Sequence, residues 1–246
     1  MNISTTGGYT LLHEAAERGF SKLAKLIIYA GADVMRRTEK GSTPLLAAAS
    51  CGRTETVGVI LQAGADPNVT NHQGSRALHI ACLNGHSGVA EKLVASGADC
   101  CAVDDETNNA FHLAAVSGCS EAVCHMLGLE SDPGSVPIHC EYNLKHDDRS
   151  ALVQNLVASV PQDILLATNA RNDEQRTPLS IAASVGHASV ARVLIRGAFV
   201  DVNDENEAGV TPLHLAASEG HHAVIAVLID EGGAHVNKVG RCRLNL

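Results

Sequence analysis

The sequence predicts an all-α fold, a solenoid built from repeated helix-turn-helix-finger units. Segments of one pattern recur with starts at residues 10, 43, 76 and 109, and again at 177 and 211. A constant period of 33 or 34 residues is the signature of a repeat architecture. Aromatic residues are only 2% of the 246 residues, although 45% are hydrophobic. The core therefore has to consist of Ala, Leu, Val and Ile, which suits closely packed helices better than a β-sandwich.

Each repeat opens with a segment typical of a short inner helix. Thr43-Pro44 and Thr211-Pro212 place an N-cap residue directly before a proline in the first helical turn. An Ala-Ala pair such as Ala48-Ala49 keeps the helix thin, so that the next repeat can approach closely. The glycine that follows, such as Gly52, suits the left-handed position just after a helix.

A second apolar stretch completes each repeat. Residues 57–61 have helical spacing and predict an outer helix that returns antiparallel to the inner one. In the first three repeats this helix ends at a Gly-Ala-Asp turn, as at residues 31–33. The polar residues between that turn and the next repeat predict a projecting turn or hairpin, called a finger below.

These units resemble ankyrin repeats, whose signature includes Thr-Pro-Leu-His. Residues 211–214 carry the complete signature, and the other copies differ from it at one or two positions. The resemblance implies repeats one to four in residues 1–127, repeats six and seven in 169–240, and a C-terminal stub at 241–246. Two interpretations of residues 128–168 stay open. They form either a degenerate fifth repeat, starting near Gly134 with an outer helix at 150–159, or an irregular insertion between two stacks.

Composition excludes several classes of protein. The net charge of −9 argues against nucleic acid as a generic partner, because phosphate binding needs a basic surface. No apolar run is long enough to cross a membrane, so we expect no membrane insertion. The first ten residues have no features of a signal peptide. Eight cysteines in a chain of this length are too few for a disulfide scaffold, so we expect reduced thiols and a cytoplasmic or nuclear location.

Catalytic and metal-binding motifs were sought without success. The sequence has no P-loop, no G-x-S-x-G, no strand-linked G-x-G-x-x-G and no H-E-x-x-H. A dense cluster at His139, Cys140, His146, Asp147 and Asp148 matches no standard zinc spacing. We therefore expect no enzyme activity, no cofactor and no metal. Seven of the thirteen histidines fall at two recurring repeat positions and are interpreted as structural: His13, His79, His112 and His214 in the signature, and His86, His187 and His221 after the glycine.

The resemblance also implies where a partner binds. Ankyrin repeats use the concave face and the finger tips, so the variable residues after each Ala-Ala pair and at each tip are candidates. The first full finger is basic and later fingers are acidic: residues 1–99 carry a net charge of +1, and residues 100–246 carry −10. The predicted partner-binding residues are Tyr9, Arg18, Arg36, Arg37, Lys40, Cys51, Leu83, Asn84, Asp104, Asp105, Glu106, Val116, Ser117, Asp173, Glu174, Val185, Glu205, Glu207 and Glu219.

These residues predict a non-enzymatic module that binds a protein or peptide with a basic segment. Leu83, Val116 and Val185 form the predicted apolar part of the surface, and apolar anchors within a polar rim are typical of binding hot spots. One alternative is a regulatory or adaptor subunit, such as an inhibitor or a substrate-recognition subunit, that uses the same surface. A third class is an enzyme with its site in residues 128–168. The sequence makes no prediction about the oligomeric state.

Overall fold

The computed structural model describes residues 7–129, 160–198 and 200–238. All regular secondary structure in these ranges is helical, which confirms the predicted all-α fold class. The helices are α1 (Leu11–Arg18), α2 (Ser21–Tyr29), α3 (Pro44–Ser50), α4 (Thr54–Gln62), α5 (Ala77–Leu83), α6 (Ser87–Ala95), α7 (Ala110–Ser117), α8 (Ser120–Met126), α9 (Gln162–Thr168), α10 (Pro178–Val185), α11 (Ala188–Gly197), α12 (Pro212–Ser218) and α13 (His222–Ala226), which continues into a π-helical turn (Val227–Glu231).

Six helix pairs correspond to the six sequence repeats, and the predicted signals mark their ends. The hydroxyl oxygens of Thr43, Thr177 and Thr211 accept the backbone N–H three residues later, at 3.4, 3.3 and 3.4 Å. Each of these threonines precedes a proline in the first helical turn. Gly52 follows α3 with φ +68°, the left-handed conformation that a glycine adopts without a steric penalty. These local signals therefore define the helix boundaries.

The chain divides into two compact units, residues 1–110 and 111–246. In the first unit the inner helices α1, α3 and α5 pack in series, and so do the outer helices α2, α4 and α6. The Ala-Ala positions lie in the core at 0–1% exposure, and Cys82 replaces one alanine there, fully buried as predicted. Small side chains at these positions let neighbouring inner helices approach closely.

The second unit repeats this arrangement. Inner helix α10 packs on α12, while outer helix α11 packs on α8 and on the π-helical turn. Phe111 of α7 is completely buried and is among the largest buried side chains. Arg192 and Arg196 of α11 both bind the carboxylate of Glu231, at 2.9 and 2.7 Å, and so join two successive outer helices.

Histidines join consecutive repeats at two levels, which confirms their structural interpretation. A signature histidine donates through Nε2 to a finger carbonyl of the next repeat: His13 to Ser42 at 3.1 Å and His79 to Ala102 at 2.9 Å. A histidine after the glycine donates back to the end of the preceding inner helix. These second-level bonds are His86 to Ser50 at 3.2 Å, His187 to Val116 at 3.2 Å and His221 to Ser184 at 3.1 Å.

The repeat at residue 177 contacts the repeat at residue 109 directly. His187 bonds to Val116 as His86 bonds to Ser50 one repeat apart. His112 Nε2 lies 3.1 Å from the carbonyl oxygen of Ala170, again the contact of consecutive repeats. Residues 128–168 thus do not prevent contact between these two repeats, and both interpretations of this segment stay predictions. The suggested start near residue 134 and the outer helix at 150–159 lie outside the described residues.

The boundary between the two compact units lies after residue 110, within the segment 1–127 that was predicted to hold the first four repeats. The fourth helix pair, α7 and α8, belongs to the second unit because α8 packs on α11. A break in the sequence pattern is therefore not a break in the packing here.

Candidate protein-binding surface

Three aliphatic side chains project from the inner helices at the predicted positions. In the first unit Leu83 is 47% exposed, although the two preceding residues, Ala81 and Cys82, are fully buried. In the second unit Val116 and Val185 are 41% and 44% exposed. The repeat pattern therefore separates correctly the packing positions of the inner helix from its outward-facing positions.

The polar residues predicted on the inner helices are accessible, but two of them already form hydrogen bonds within the chain. Arg18, Asn84 and Glu219 are exposed, whereas Cys51 and Ser117 are half-buried. The Asn84 amide donates to the carbonyl of Ser50 at 3.3 Å, and the Ser117 hydroxyl donates to that of Ala114 at 3.3 Å. Asn84 and Ser117 thus also stabilise helix ends, which sequence position alone does not indicate.

The finger tips of the first unit are joined by their main chains. The backbone N–H of Glu39 donates to Gly7 at 2.9 Å, that of His72 to Lys40 at 3.4 Å, and that of Asp105 to Gln73 at 3.3 Å. Side chains on successive tips therefore stand at fixed positions. The basic residues predicted for the first full finger, Arg36, Arg37 and Lys40, are exposed there.

Asp104 has a structural role that sequence reasoning missed. It is half-buried, and its Oδ1 accepts the backbone N–H groups of Glu106 and Asn108 at 3.0 and 2.9 Å. Its carboxylate thus closes the finger turn, while Asp105 and Glu106 beside it are exposed. A signal for this role is present in the sequence, because other repeats carry an asparagine, which favours such turns, at the same position. Asn71, Asn172 and Asn206 accept the corresponding pairs of N–H groups.

In the second unit the predicted acidic residues are exposed, but some carry an ion pair already. Asp173, Glu174, Glu205 and Glu207 all lie on finger tips. Glu174 contacts the guanidinium of Arg176, and Glu205 accepts from Lys238 Nζ at 2.7 Å. The acidic potential of these fingers is therefore weaker than the count of carboxylates predicts.

Tyr9 lies against the first inner helix rather than at an open finger tip. It is half-buried, its ring centroid is 5.2 Å from that of His13, and its hydroxyl donates to the carboxylate of Glu17. Burial, together with Glu17, raises the pKa of the Tyr9 phenol well above its usual range. Its position before the first repeat did not indicate these contacts, and its part in partner binding stays a prediction.

Three observations on the described residues concern metal binding, thiol chemistry and membrane spans. They contain no group of three or more His, Cys, Asp or Glu side chains able to hold a metal ion. Burial raises the pKa of the Cys100 thiol to about 12 and also raises that of Cys119, so neither is a thiolate at neutral pH. Among these residues, no helix combines the length and the hydropathy needed to cross a bilayer. The cluster from His139 to Asp148 lies outside the described residues.

Comparison with protein families agrees with this arrangement of repeats. The family described as ankyrin repeats, in copies of three, matches residues 1–71, 59–136 and 143–239. The chain belongs to the ankyrin-repeat family. Members of this family are generally non-enzymatic protein–protein interaction modules. No match was found among curated proteins.

The buried signature histidines give the fold a pH dependence. Burial lowers the pKa of His13 and of His79. In each ring Nδ1 accepts a backbone N–H at 3.2 Å and Nε2 donates to a carbonyl, so a proton added at Nδ1 would break the hydrogen bond from that N–H group. These histidines contribute stability that is fully present above their unfolded pKa of about 6.5 and is lost as the pH falls through the lower folded value.

We therefore expect a lower free energy of unfolding at pH 5.5 than at pH 7.5, measured by urea denaturation. His79→Gln should lower the free energy of unfolding at pH 7.5. It should also reduce the decrease of that free energy between pH 7.5 and pH 5.5. His72→Gln, at an exposed finger tip, is the matched control and should retain the wild-type fall. If the free energy of unfolding decreases equally in the His79→Gln variant and the wild type, the pH dependence does not come from His79.

Proposed function

We propose that the chain binds a protein or peptide through the inner-helix and finger-tip surface, and that the bound segment carries basic residues. The observation that carries the proposal is the exposure of Leu83, Val116 and Val185. An aliphatic side chain at these outward-facing positions does not contribute to the packing of the repeats. Burying such side chains against a partner contributes favourably to binding, and anchors of this kind dominate interface energies.

Charge supports the second part of the proposal. Asp105, Glu106 and Glu207 are exposed on finger tips and form no ion pair within the described residues. A basic segment approaching these tips is attracted before contact, which raises the association rate more than the affinity. The basic tips with Arg36, Arg37 and Lys40 oppose the same segment and so disfavour its placement there.

The apolar part is tested by capture from a cell lysate with three baits: wild type, Leu83→Asp with Val116→Asp, and Leu166→Asp. Leu166 of α9 is an exposed aliphatic residue outside the proposed surface and serves as the matched control. Proteins retained by the wild type and the control but lost by the double variant support the proposal. Equal retention by all three baits would overturn it.

The charged part is tested on any partner so identified. We expect Asp105→Ser with Glu106→Ser to slow association by about tenfold at low salt and to flatten its dependence on ionic strength. Stopped-flow kinetics at several salt concentrations measures both. An association rate that is unchanged at every salt concentration would exclude a basic segment at these tips.

A further inference from the structure

Three successive fingers of the first unit form a row whose two ends carry opposite charge. We call residues 34–42, 67–75 and 100–108 the finger row. The first of these fingers has three basic side chains and one acidic one, the second has no Lys, Arg, Asp or Glu, and the third has three acidic side chains. The charge of the row therefore changes from positive through neutral to negative along the stack of repeats.

Side chains at one repeat position show the same change of sign. Lys40, Gln73 and Glu106 are equivalent residues of the three fingers, and all three are exposed. The main chain joins the fingers, because the N–H of His72 donates to Lys40 and that of Asp105 donates to Gln73. Taking about 5.5 Å between the Cα atoms of hydrogen-bonded residues and about 3.8 Å between chain neighbours, the Cα atoms of Lys40 and Glu106 lie about 19 Å apart.

Neither end of the finger row is neutralised by an ion pair within the described chain. Arg36, Lys40, Asp105 and Glu106 form none among the residues described. Glu106 accepts the neutral side-chain amide of Asn108 at 3.3 Å, which leaves its charge in place. The uncharged finger lies between the two ends, so the bases and acids of the row do not pair with each other.

Contacts between the fingers hold the row in place before any partner arrives. The guanidinium of Arg37 donates to the carbonyl of Thr70 at 2.8 Å and so joins the first finger to the second. The His72 ring lies on the glycine of the finger before it, since a Cβ added to Gly41 would come within 2.6 Å of that ring. A partner therefore meets preformed charges, which lowers the cost of ordering the interface.

We propose that the finger row binds an extended segment that is itself bipolar, with an acidic end over Arg36 and Lys40 and a basic end over Asp105 and Glu106. The basic end rests on the proposed function, which the acidic end and its spacing extend. An extended chain advances about 3.3 Å per residue, so the acidic and basic residues of the partner lie about six positions apart. A segment that is basic throughout meets repulsion at the first finger, which disfavours such partners.

The test is selection from a phage-displayed library of random dodecapeptides, with the full chain as the target at low salt. Peptides enriched by the wild type should carry an acidic and a basic residue about six positions apart. On Arg36→Glu with Lys40→Glu, the enriched peptides should lose the acidic residue and keep the basic one. Lys22→Glu with Lys25→Glu, the same charge change on exposed residues of α2, is the matched control and should enrich the wild-type pattern.

Fluorescence anisotropy of one selected peptide tests the pairing of charges directly. Arg36→Glu with Lys40→Glu should weaken its binding about tenfold at low salt. Replacing the acidic residues of the peptide with lysine should restore binding to this variant. Restoration requires contact between opposite charges, since a misfolded variant would bind neither peptide, and a variant that is not restored would overturn the proposal.

Failure of the acidic end can be told apart from failure of the proposed function. Enriched peptides that are basic throughout would overturn the bipolar segment and leave the basic one standing. Bipolar peptides that bind Leu83→Asp with Val116→Asp as tightly as the wild type would support the bipolar segment but remove the apolar anchors from the proposed function. Enrichment of no peptide would overturn both. Dimers that light scattering detects at low salt, and that Arg36→Glu with Lys40→Glu abolishes, would also overturn the bipolar segment, because a second copy would then cover the row.

Discussion

Replacing Phe111 with Ala is expected to lower the free energy of unfolding by about 3–5 kcal/mol, the cost of removing a fully buried aromatic side chain and leaving a cavity. Phe111 has 0% exposure in α7, where the other repeats carry a leucine at the same position. Phe111 belongs to the second unit, so the loss acts on the core of that unit. Urea denaturation followed by circular dichroism measures the change.

Phe20→Ala is the matched control, since the same atoms are removed from a side chain that is half exposed. Measured at low protein concentration, it should change the stability by less than about 1 kcal/mol. A loss of similar size in both variants would mean that Phe111 is not the packing residue that its burial indicates.

Gly52→Ala is expected to destabilise the fold more than Gly64→Ala, although both glycines have a left-handed φ, +68° and +90°. A Cβ costs about 1–2 kcal/mol at either position on conformational grounds alone. At Gly52 it would also lie 2.8 Å from the His86 ring, while at Gly64 it would meet nothing within 4 Å. Displacing the ring adds about 1–3 kcal/mol of overpacking.

The difference between the two variants isolates the contact between repeats. Thermal and urea unfolding of both should give a larger loss for Gly52→Ala, and the excess should shrink in a His86→Ala background. Equal losses in the two variants would show that the histidine moves aside at no cost.

The helical part of the fold was predictable because its signals are local. A Thr-Pro start, an Ala pair and a glycine at a helix end are each recognised within a few residues. Because the repeat has a fixed period, the same signals recur along the chain and support one another. The exposure of Leu83, Val116 and Val185 followed from the same period, since packing positions recur and outward positions vary. These predictions required no knowledge of distant contacts.

The features that were missed depend on partners far away in sequence. The ion pair between Glu205 and Lys238 joins residues 33 apart, and the composition of either finger does not reveal it. The direct contact of His187 with Val116 spans 71 residues, so a pattern broken at 128–168 could not show that packing continues past it. The turn-closing role of Asp104 was not predicted for another reason: a carboxylate that closes a turn and one that faces a ligand look alike in a sequence.

The main-chain bonds between finger tips have a consequence for how such a surface changes over time. Because Glu39, His72 and Asp105 are held through backbone N–H groups, the hydrogen bonds that join the finger tips do not depend on their side chains. Substitutions at these three positions can therefore exchange one charge pattern for another while the scaffold below stays as it is. Mutation can therefore change the charge of the proposed binding surface separately from the stability of the fold.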